Sequence, residues 1–219
     1  MAKTTTDGGD LFTQAGEASE PCPGVWLLRG LLLEEAPALW AEVQEISAAA
    51  PPRRMMTPMG FPTQVSLTNC GMLGWTSDRQ GYRYAAQDPD SGNPWPPLPA
   101  RWSRLASLAA MQAGFPGFTP DACLINHYAP GTKMGLHQDR NERDFSAPIV
   151  SFSLGLPVNF VFGGASRRDP VTRIPLQHGD AMVWGGHTRL HYHGVLTLRR
   201  GHHSLTGERR INLTFRKAG

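Results

Sequence analysis

His137 and Asp139 close the stretch NHYAPGTKMGLHQD (126–139), and their types and spacing suggest metal chemistry. On an extended backbone, residues two apart leave the same face, so an imidazole nitrogen and a carboxylate oxygen can reach one cation. A third ligand is available further along in His191-Tyr192-His193. Both of its histidines also share a face, and chemistry alone does not choose between them. Two imidazoles and one carboxylate form the facial set that leaves open positions on non-haem Fe(II). A short His-x-Asp motif is common by chance, because surface His and Asp are usually solvated, so it needs independent support.

That support comes from the last strand-like stretch, RINLTFR (210–216). Ile211, Leu213 and Phe215 alternate with Arg210, Asn212, Thr214 and Arg216, which gives the strand one apolar and one polar face. Two arginines and an amide make a poor solvent face for a strand that closes a barrel. They suit a dicarboxylate, since a guanidinium fork pairs with a carboxylate bidentately. In ACLINHYA (122–129), Asn126 and Tyr128 likewise share a face, which is expected to meet Arg210, Asn212 and Arg216, with His127 pointing away.

The elements that must position these groups change character along the chain. Beyond Phe118 come short apolar or alternating runs broken by Gly and Pro: ACLINHYA, PIVSFSLG, PVNFVFGG, TRIPLQ, AMVWGG, RLHYHG and RINLTFR. Short strands separated by turn signals predict a mainly β protein, a sandwich or jelly roll with flanking helices. His178-Gly179-Asp180 reads as a structural turn. Residues 33–50 carry a helical stripe of Leu39, Val43 and Ile46, stopped by Pro51 and Pro52. A second helix is expected over Pro99 to Ala113, with Trp102, Leu105 and Leu108 inward and Gly114 as its stop. Between the helices, Trp75, Tyr82 and Tyr84 fall among glycines, and aromatic residues on loops can stack on a flat ligand.

The 219 residues can bury a substantial core in one elaborated domain. The absence of a long apolar run and the polar opening MAKTTTDGGD point away from a membrane span or a secretory signal, and a cytoplasmic location is expected. Cys22, Cys70 and Cys123 are odd in number and widely spaced, which suits free thiols in a reducing compartment. The net charge of +3 permits an anionic partner without demanding one. The pairs Arg167/Arg168, Arg199/Arg200 and Arg209/Arg210 could meet phosphates locally, although solvated surface explains most of them equally well.

Taken together, LTNCGMLGW, DRQGY, NHYAPG, GLHQD, SLGLP, FGG, HGD, WGG, YHG and RINLTFR resemble the bacterial AlkB proteins, Fe(II)- and 2-oxoglutarate-dependent dioxygenases that dealkylate nucleic acids. The likeness runs from about Arg54 to Arg216 in consistent order. It implies a double-stranded β-helix (jelly roll) core, with iron on His137, Asp139 and His193, and so chooses His193 over His191. It implies a co-substrate pocket of Asn126, Tyr128, Arg210, Asn212 and Arg216, in which the two arginines take opposite ends of 2-oxoglutarate. It also implies a substrate site with Trp75 and Tyr82 at the damaged base and its backbone, Arg167 on a nucleotide-facing lid, and Arg140 and Asn141 beside the base. The implied organisation is a tail over 1–20 and one domain over 21–219. Residues 21–118 form the helical and lid part, and 119–219 the jelly-roll core.

The activity implied is oxidative demethylation of bases such as 1-methyladenine and 3-methylcytosine, in single- or double-stranded DNA or in RNA. Dioxygen and 2-oxoglutarate are consumed, and formaldehyde is released. A monomer is expected. Methylation at a pairing position leaves the base cationic, so a sandwich of Trp75 and the His137 ring would add a cation–π contribution of about 0.5 to 2 kcal/mol. Such a base is already badly paired and costs less to flip out of a duplex. Where the family places a carboxylate, this chain has Asn141, which leaves its discrimination between cationic and neutral lesions in question. Two other classes of function remain open to the sequence: a hydroxylase of the same fold acting on a small molecule or protein, and a nucleic-acid-binding module without iron chemistry.

Overall fold

Alternation in the last strand fixes how the layers stack. In the computed structural model, which describes residues 18–219, Ile211, Leu213 and Phe215 enter one buried cluster while Arg210, Asn212, Thr214 and Arg216 turn to the opposite side and line a cavity. In chain order the elements are β1 (Ala18–Cys22), β2 (Val25–Leu28), α1 (Ala36–Ala49), β3 (Ser66–Gly71), β4 (Gly74–Asp78), β5 (Gly81–Ala85), α2 (Ala100–Gln112), β6 (Ala122–Tyr128), β7 (Met134–His137), β8 (Ile149–Gly155), β9 (Val158–Phe162), β10 (Thr172–Leu176), β11 (Ala181–Trp184), β12 (His193–Val195) and β13 (Arg210–Arg216). A seven-stranded sheet runs β1-β2-β11-β8-β13-β6-β3, a four-stranded sheet runs β10-β9-β12-β7, and β4-β5 form a separate hairpin. All the strand pairs are antiparallel, as expected of a jelly roll closed by non-sequential neighbours.

Two apolar layers hold this together. Helices α1 and α2 cover the outer face of the large sheet: Leu39, Val43, Ile46, Trp102 and Leu105 pack with Phe152, Ile211, Leu213 and Phe215. Trp102 is fully buried, meets Phe215 edge-on with ring centroids 6.2 Å apart, and donates its indole N–H to Glu42 of α1 at 2.6 Å. Between the sheets lies the second layer, with Leu27, Met182 and Trp184 from the large sheet against Val158, Phe160, Phe162, Ile174 and Leu176 from the small one.

Several expectations need correction. Leu108 is 36% exposed, and the inward face of α2 is made instead by Trp102, Leu105, Ala106, Ala109 and Ala110. The small alanines let the helix approach the sheet closely, which the search for large apolar residues overlooked. Trp75, Tyr82 and Tyr84 lie on the strands of the β4–β5 hairpin, not on loops. The part expected over 21–118 is not only helix and lid, because β1, β2 and β3 join the jelly-roll sheet. The tail expected over 1–20 lies outside the described residues as far as position 17, and from Ala18 onward the chain is already strand β1. In RLHYHG only His193 and the next two residues are strand, after a 3-10 turn at Gly186–Thr188. Among the described residues no helix is long and apolar enough to cross a membrane.

Candidate metal and co-substrate site

His137 ends β7 and His193 begins β12, and these two strands are neighbours in which the two histidines pair directly in register. Gly194 makes the approach possible, since a Cβ there would lie 2.8 Å from the Met134 carbonyl oxygen. The rings stand 4.5 Å apart, and Asp139, two residues beyond the end of β7, completes the set. Its Oδ1 lies 3.7 Å from His137 Nε2 and its Oδ2 3.7 Å from His193 Nε2, and the candidate ligand atoms of all three lie within 4.8 Å of one another.

The tautomers are prepared by the backbone. Each Nδ1 faces a carbonyl oxygen, His137 that of Gly135 at 2.9 Å and His193 that of His191 at 3.0 Å. With Nδ1–H donating, each Nε2 keeps its lone pair for a cation. Burial in the cavity, and then the neighbouring His193, hold His137 at about 4, so that its ring is neutral at physiological pH. Burial works to raise the Asp139 carboxyl, but Arg216 and the two imidazoles outweigh it and hold the group well below the usual carboxylate range. Two imidazole nitrogens and one ionised carboxylate fit Fe(II). His191 is not part of the set: its carbonyl orients His193, and its ring lies 5.8 Å from Phe162.

Beside the metal ligands, β6, β13 and β8 build a polar floor. Arg210 pairs in register with Tyr128 and Asn212 with Asn126, so the expected shared face exists. Asn212 Oδ1 accepts from Asn126 Nδ2 at 3.0 Å and from Thr214 at 2.9 Å, and its own amide donates to Ser151 Oγ at 2.8 Å. Arg210 is 1% exposed and donates from Nη2 to Ser153 at 3.0 Å, while its Nε and Nη1, with Asn126 Oδ1, are buried without partners among the described residues. Burial with no carboxylate in contact brings Arg210 down to about 10. Orphaned buried donors cost free energy until something accepts from them, and a bidentate carboxylate would satisfy both. Arg216 is different. Its Nη2 and Nε donate to Asp139 Oδ2 at 2.7 and 3.1 Å, and Nε also lies 3.3 Å from Glu142.

One cavity of about 650 Å³ gathers the metal set, the five co-substrate residues and every residue expected at the substrate. On its wall Trp75 stacks on Tyr82, with centroids 5.4 Å apart and planes 18° from parallel. The indole N–H of Trp75 donates to Asn141 Oδ1 at 3.2 Å, and Asn141 Nδ2 is 3.4 Å from the Tyr82 carbonyl. Arg167 donates to the Leu136 carbonyl at 2.6 Å and lies over the Tyr192 ring at 5.0 Å, while Arg140 is exposed. Trp75 and His137, the two rings expected to hold the base between them, both line this cavity.

Sequence reasoning missed several contributors. Ser151 and Ser153 alternate with apolar residues in PIVSFSLG and were accessible to the same period-two argument that found Asn126. Tyr84 was expected to offer a stacking surface; its hydroxyl instead donates to Glu142 at 2.7 Å. Glu142 and Arg189 pair across the fold, both side chains at most 3% exposed, and no local signal marks them.

Comparison with known proteins agrees with this geometry. Residues 24–216 match the 2OG-Fe(II) oxygenase superfamily. The chain is 50% identical over 210 residues to the alpha-ketoglutarate-dependent dioxygenase AlkB of Salmonella typhimurium, covering 95% of this chain and 97% of that one. Against the Escherichia coli protein of the same name it is 50% identical over 211 residues, covering 96% and 98%. A Caulobacter vibrioides AlkB homolog is 41% identical over 198 residues, covering 90% and 88%. The solved structure of OsALKBH1 superposes with a TM-score of 0.78 at 26% identity, covering 92% of this chain and all of that one.

Proposed function

Since the chain belongs to the 2OG-Fe(II) oxygenase superfamily and to the AlkB family within it, we propose that it repairs alkylated bases through the residues gathered in this one cavity. It is an Fe(II)- and 2-oxoglutarate-dependent dioxygenase, and its reaction is oxidative demethylation of nucleic acid. Bound iron and 2-oxoglutarate would supply the oxidising power to hydroxylate the N-methyl group with dioxygen. His137, Asp139 and His193 would hold the metal. Arg210, with Tyr128 and Asn126 beside it, anchors the distal carboxylate of 2-oxoglutarate, and Arg216 with Asn212 serves the metal-proximal end.

The observation that carries the reading is the pair of orphaned donors on Arg210, which lines the same cavity as the His-Asp-His triad. An anion anchor and a metal site in one cavity suit a dicarboxylate that chelates through one end. The stacked Trp75 and Tyr82 give a base an aromatic surface, worth roughly 1 to 3 kcal/mol per stacked base. A cationic methylated base gains further from the ring quadrupole. The substrates are 1-methyladenine and 3-methylcytosine in single- or double-stranded DNA, and RNA with the same lesions, and the protein acts as a cytoplasmic monomer. Incubation of methylated oligonucleotides with Fe(II), 2-oxoglutarate and ascorbate tests this by mass spectrometry. Loss of the methyl group with stoichiometric succinate is expected, while succinate formation indifferent to the oligonucleotide would overturn the substrate assignment.

A further inference from the structure

Behind the cavity lies a buried polar chain that the reaction as described does not use. Glu142 does not line the cavity, and its side chain is 2% exposed. Burying a carboxylate costs several kcal/mol unless it is paired, and this one is held from three directions. Tyr84 of β5 donates to Oε1 at 2.7 Å, Arg216 Nε lies 3.3 Å from the same oxygen, and Arg189 Nη2 is 3.1 Å from Oε2, out of hydrogen-bond alignment. Arg189 also donates to the backbone carbonyl of Asp139 at 2.7 Å, and Arg216 to its side chain at 2.7 Å.

The other end of the chain reaches the aromatic clamp. Trp75 and Tyr84 are opposite one another in the hairpin register, so Trp75, Tyr82 and Tyr84 share one face of β4–β5. A shift of Trp75 therefore carries Tyr84 with it. Between hairpin and metal site runs the short segment from Asp139 to Glu142, which touches both: Asp139 faces the two histidines, Asn141 holds Trp75, and Glu142 holds Tyr84. At its centre the Arg216 guanidinium lies between two carboxylates: Nε donates to Asp139 at 3.1 Å and is 3.3 Å from Glu142, an ion pair without hydrogen-bond alignment. A guanidinium placed between two carboxylates is drawn toward whichever approaches more closely. Pulling Glu142 toward or away from Arg216 changes the hold on Asp139, the metal-ligating carboxylate.

We propose that Glu142 is a positioning residue that couples the aromatic clamp to the metal site, so that a base on Trp75 changes the metal affinity of the His137-Asp139-His193 set. The proposal rests on the demethylase reading for the identity of the base. Coupling of this kind is reciprocal, and whatever the base does to metal affinity the metal does to affinity for the base. The element on which both ends bear is the Arg216 guanidinium, placed between Asp139 and Glu142.

The test uses Co(II) as a visible-absorption probe, titrated into the metal-free full-length protein with saturating 2-oxoglutarate. The titration is run with and without a single-stranded DNA oligonucleotide carrying one 1-methyladenine. In the wild type the oligonucleotide is expected to change the Co(II) Kd at least fivefold, the lower end of usual coupling. In Tyr84→Phe, which keeps the ring and removes only the donor to Glu142, the change should fall below twofold. Glu142→Gln should behave alike, and where that variant folds poorly Tyr84→Phe decides alone. Retention of the full wild-type ratio in Tyr84→Phe overturns the proposal, because a purely structural Glu142 would leave the ratio alone. A wild-type ratio of one also overturns it. Mass spectrometry of the same oligonucleotide after turnover by the iron-loaded wild type then tells whether the demethylase reading falls with it.

Discussion

Arg210 and Arg216 stand on the same face of the same strand, both at most 5% exposed, yet they live in opposite electrostatic conditions. At the start of β13 the Arg210 guanidinium has a serine for its one polar side-chain partner and is pulled down to about 10 by burial. At the other end burial is outweighed by Asp139, Tyr84 and Glu142, which drive Arg216 far above its ordinary value. One arginine is completed by the protein, while the other keeps two buried donors without partners among the described residues. Burial of a charge is tolerated where the missing counter-charge is a substrate that arrives later, and such unfinished groups mark binding sites better than satisfied ones do.

The metal end should break most completely. His193→Ala should abolish turnover, a loss of at least about a thousandfold or roughly 4 kcal/mol in the barrier, whereas His191→Ala should leave it largely intact. Steady-state succinate formation measures both, and the reverse pattern would move the ligand to His191.

The two arginines themselves come next. Arg216→Met strands Asp139 and Glu142 in the interior, and breaking a buried pair costs about 3 to 5 kcal/mol. Arg210→Met leaves no carboxylate without a partner, so urea unfolding in the absence of 2-oxoglutarate should show unchanged or higher stability. The same variant should raise the KM for 2-oxoglutarate by about ten- to a hundredfold, the worth of a charge-assisted hydrogen bond of 1.5 to 3 kcal/mol. Equal destabilisation by both substitutions would erase the contrast between the two ends.

A smaller effect is expected on the reverse side of the same strand pair. His127 pairs in register with Ile211, its Nε2 is buried without a partner, and burial followed by the nearby Arg209 lowers it to about 4. The unfolded chain, near 6.5, binds the proton more readily. The stability contributed by neutral His127 is therefore complete above about pH 6.5 and is lost as pH falls toward 4, by at most about 3 kcal/mol. Melting temperatures at pH 7.5 and 5.0 should separate less for His127→Gln than for the wild type, and equal separation would show that the imidazole is not the titrating group.

The smallest change is at Asn141, whose acceptor already serves Trp75. Asn141→Asp should shift the ratio of kcat/KM on 1-methyladenine to that on a neutral methylated thymine toward the cationic base, by up to about tenfold, since charge strengthens a hydrogen bond by roughly 1 kcal/mol. An unmoved ratio would mean that position 141 braces the clamp without reading the base.

Local pattern settled what depends on periodicity. The two-residue repeat in RINLTFR and ACLINHYA put Arg210, Asn212, Arg216, Asn126 and Tyr128 on one shared face, and the strands pair in the register that the pattern required. His-x-Asp likewise brought His137 and Asp139 together, because their distance is set within a few bonds. Pattern failed where distance along the chain is large and the backbone irregular. Residue spacing leaves His191 and His193 equal until β12 pairs with β7 and sets His193 opposite His137, and only the packing of the hairpin against the segment after Asp139 turns Tyr84 from a surface aromatic into a partner of Glu142. The ion pair of Glu142 with Arg189 joins segments 47 residues apart, with no repeat to announce it. Charges buried this way are stable solely because the folded chain supplies their partners, so tertiary structure alone could decide that one arginine of β13 is satisfied and the other keeps orphaned donors.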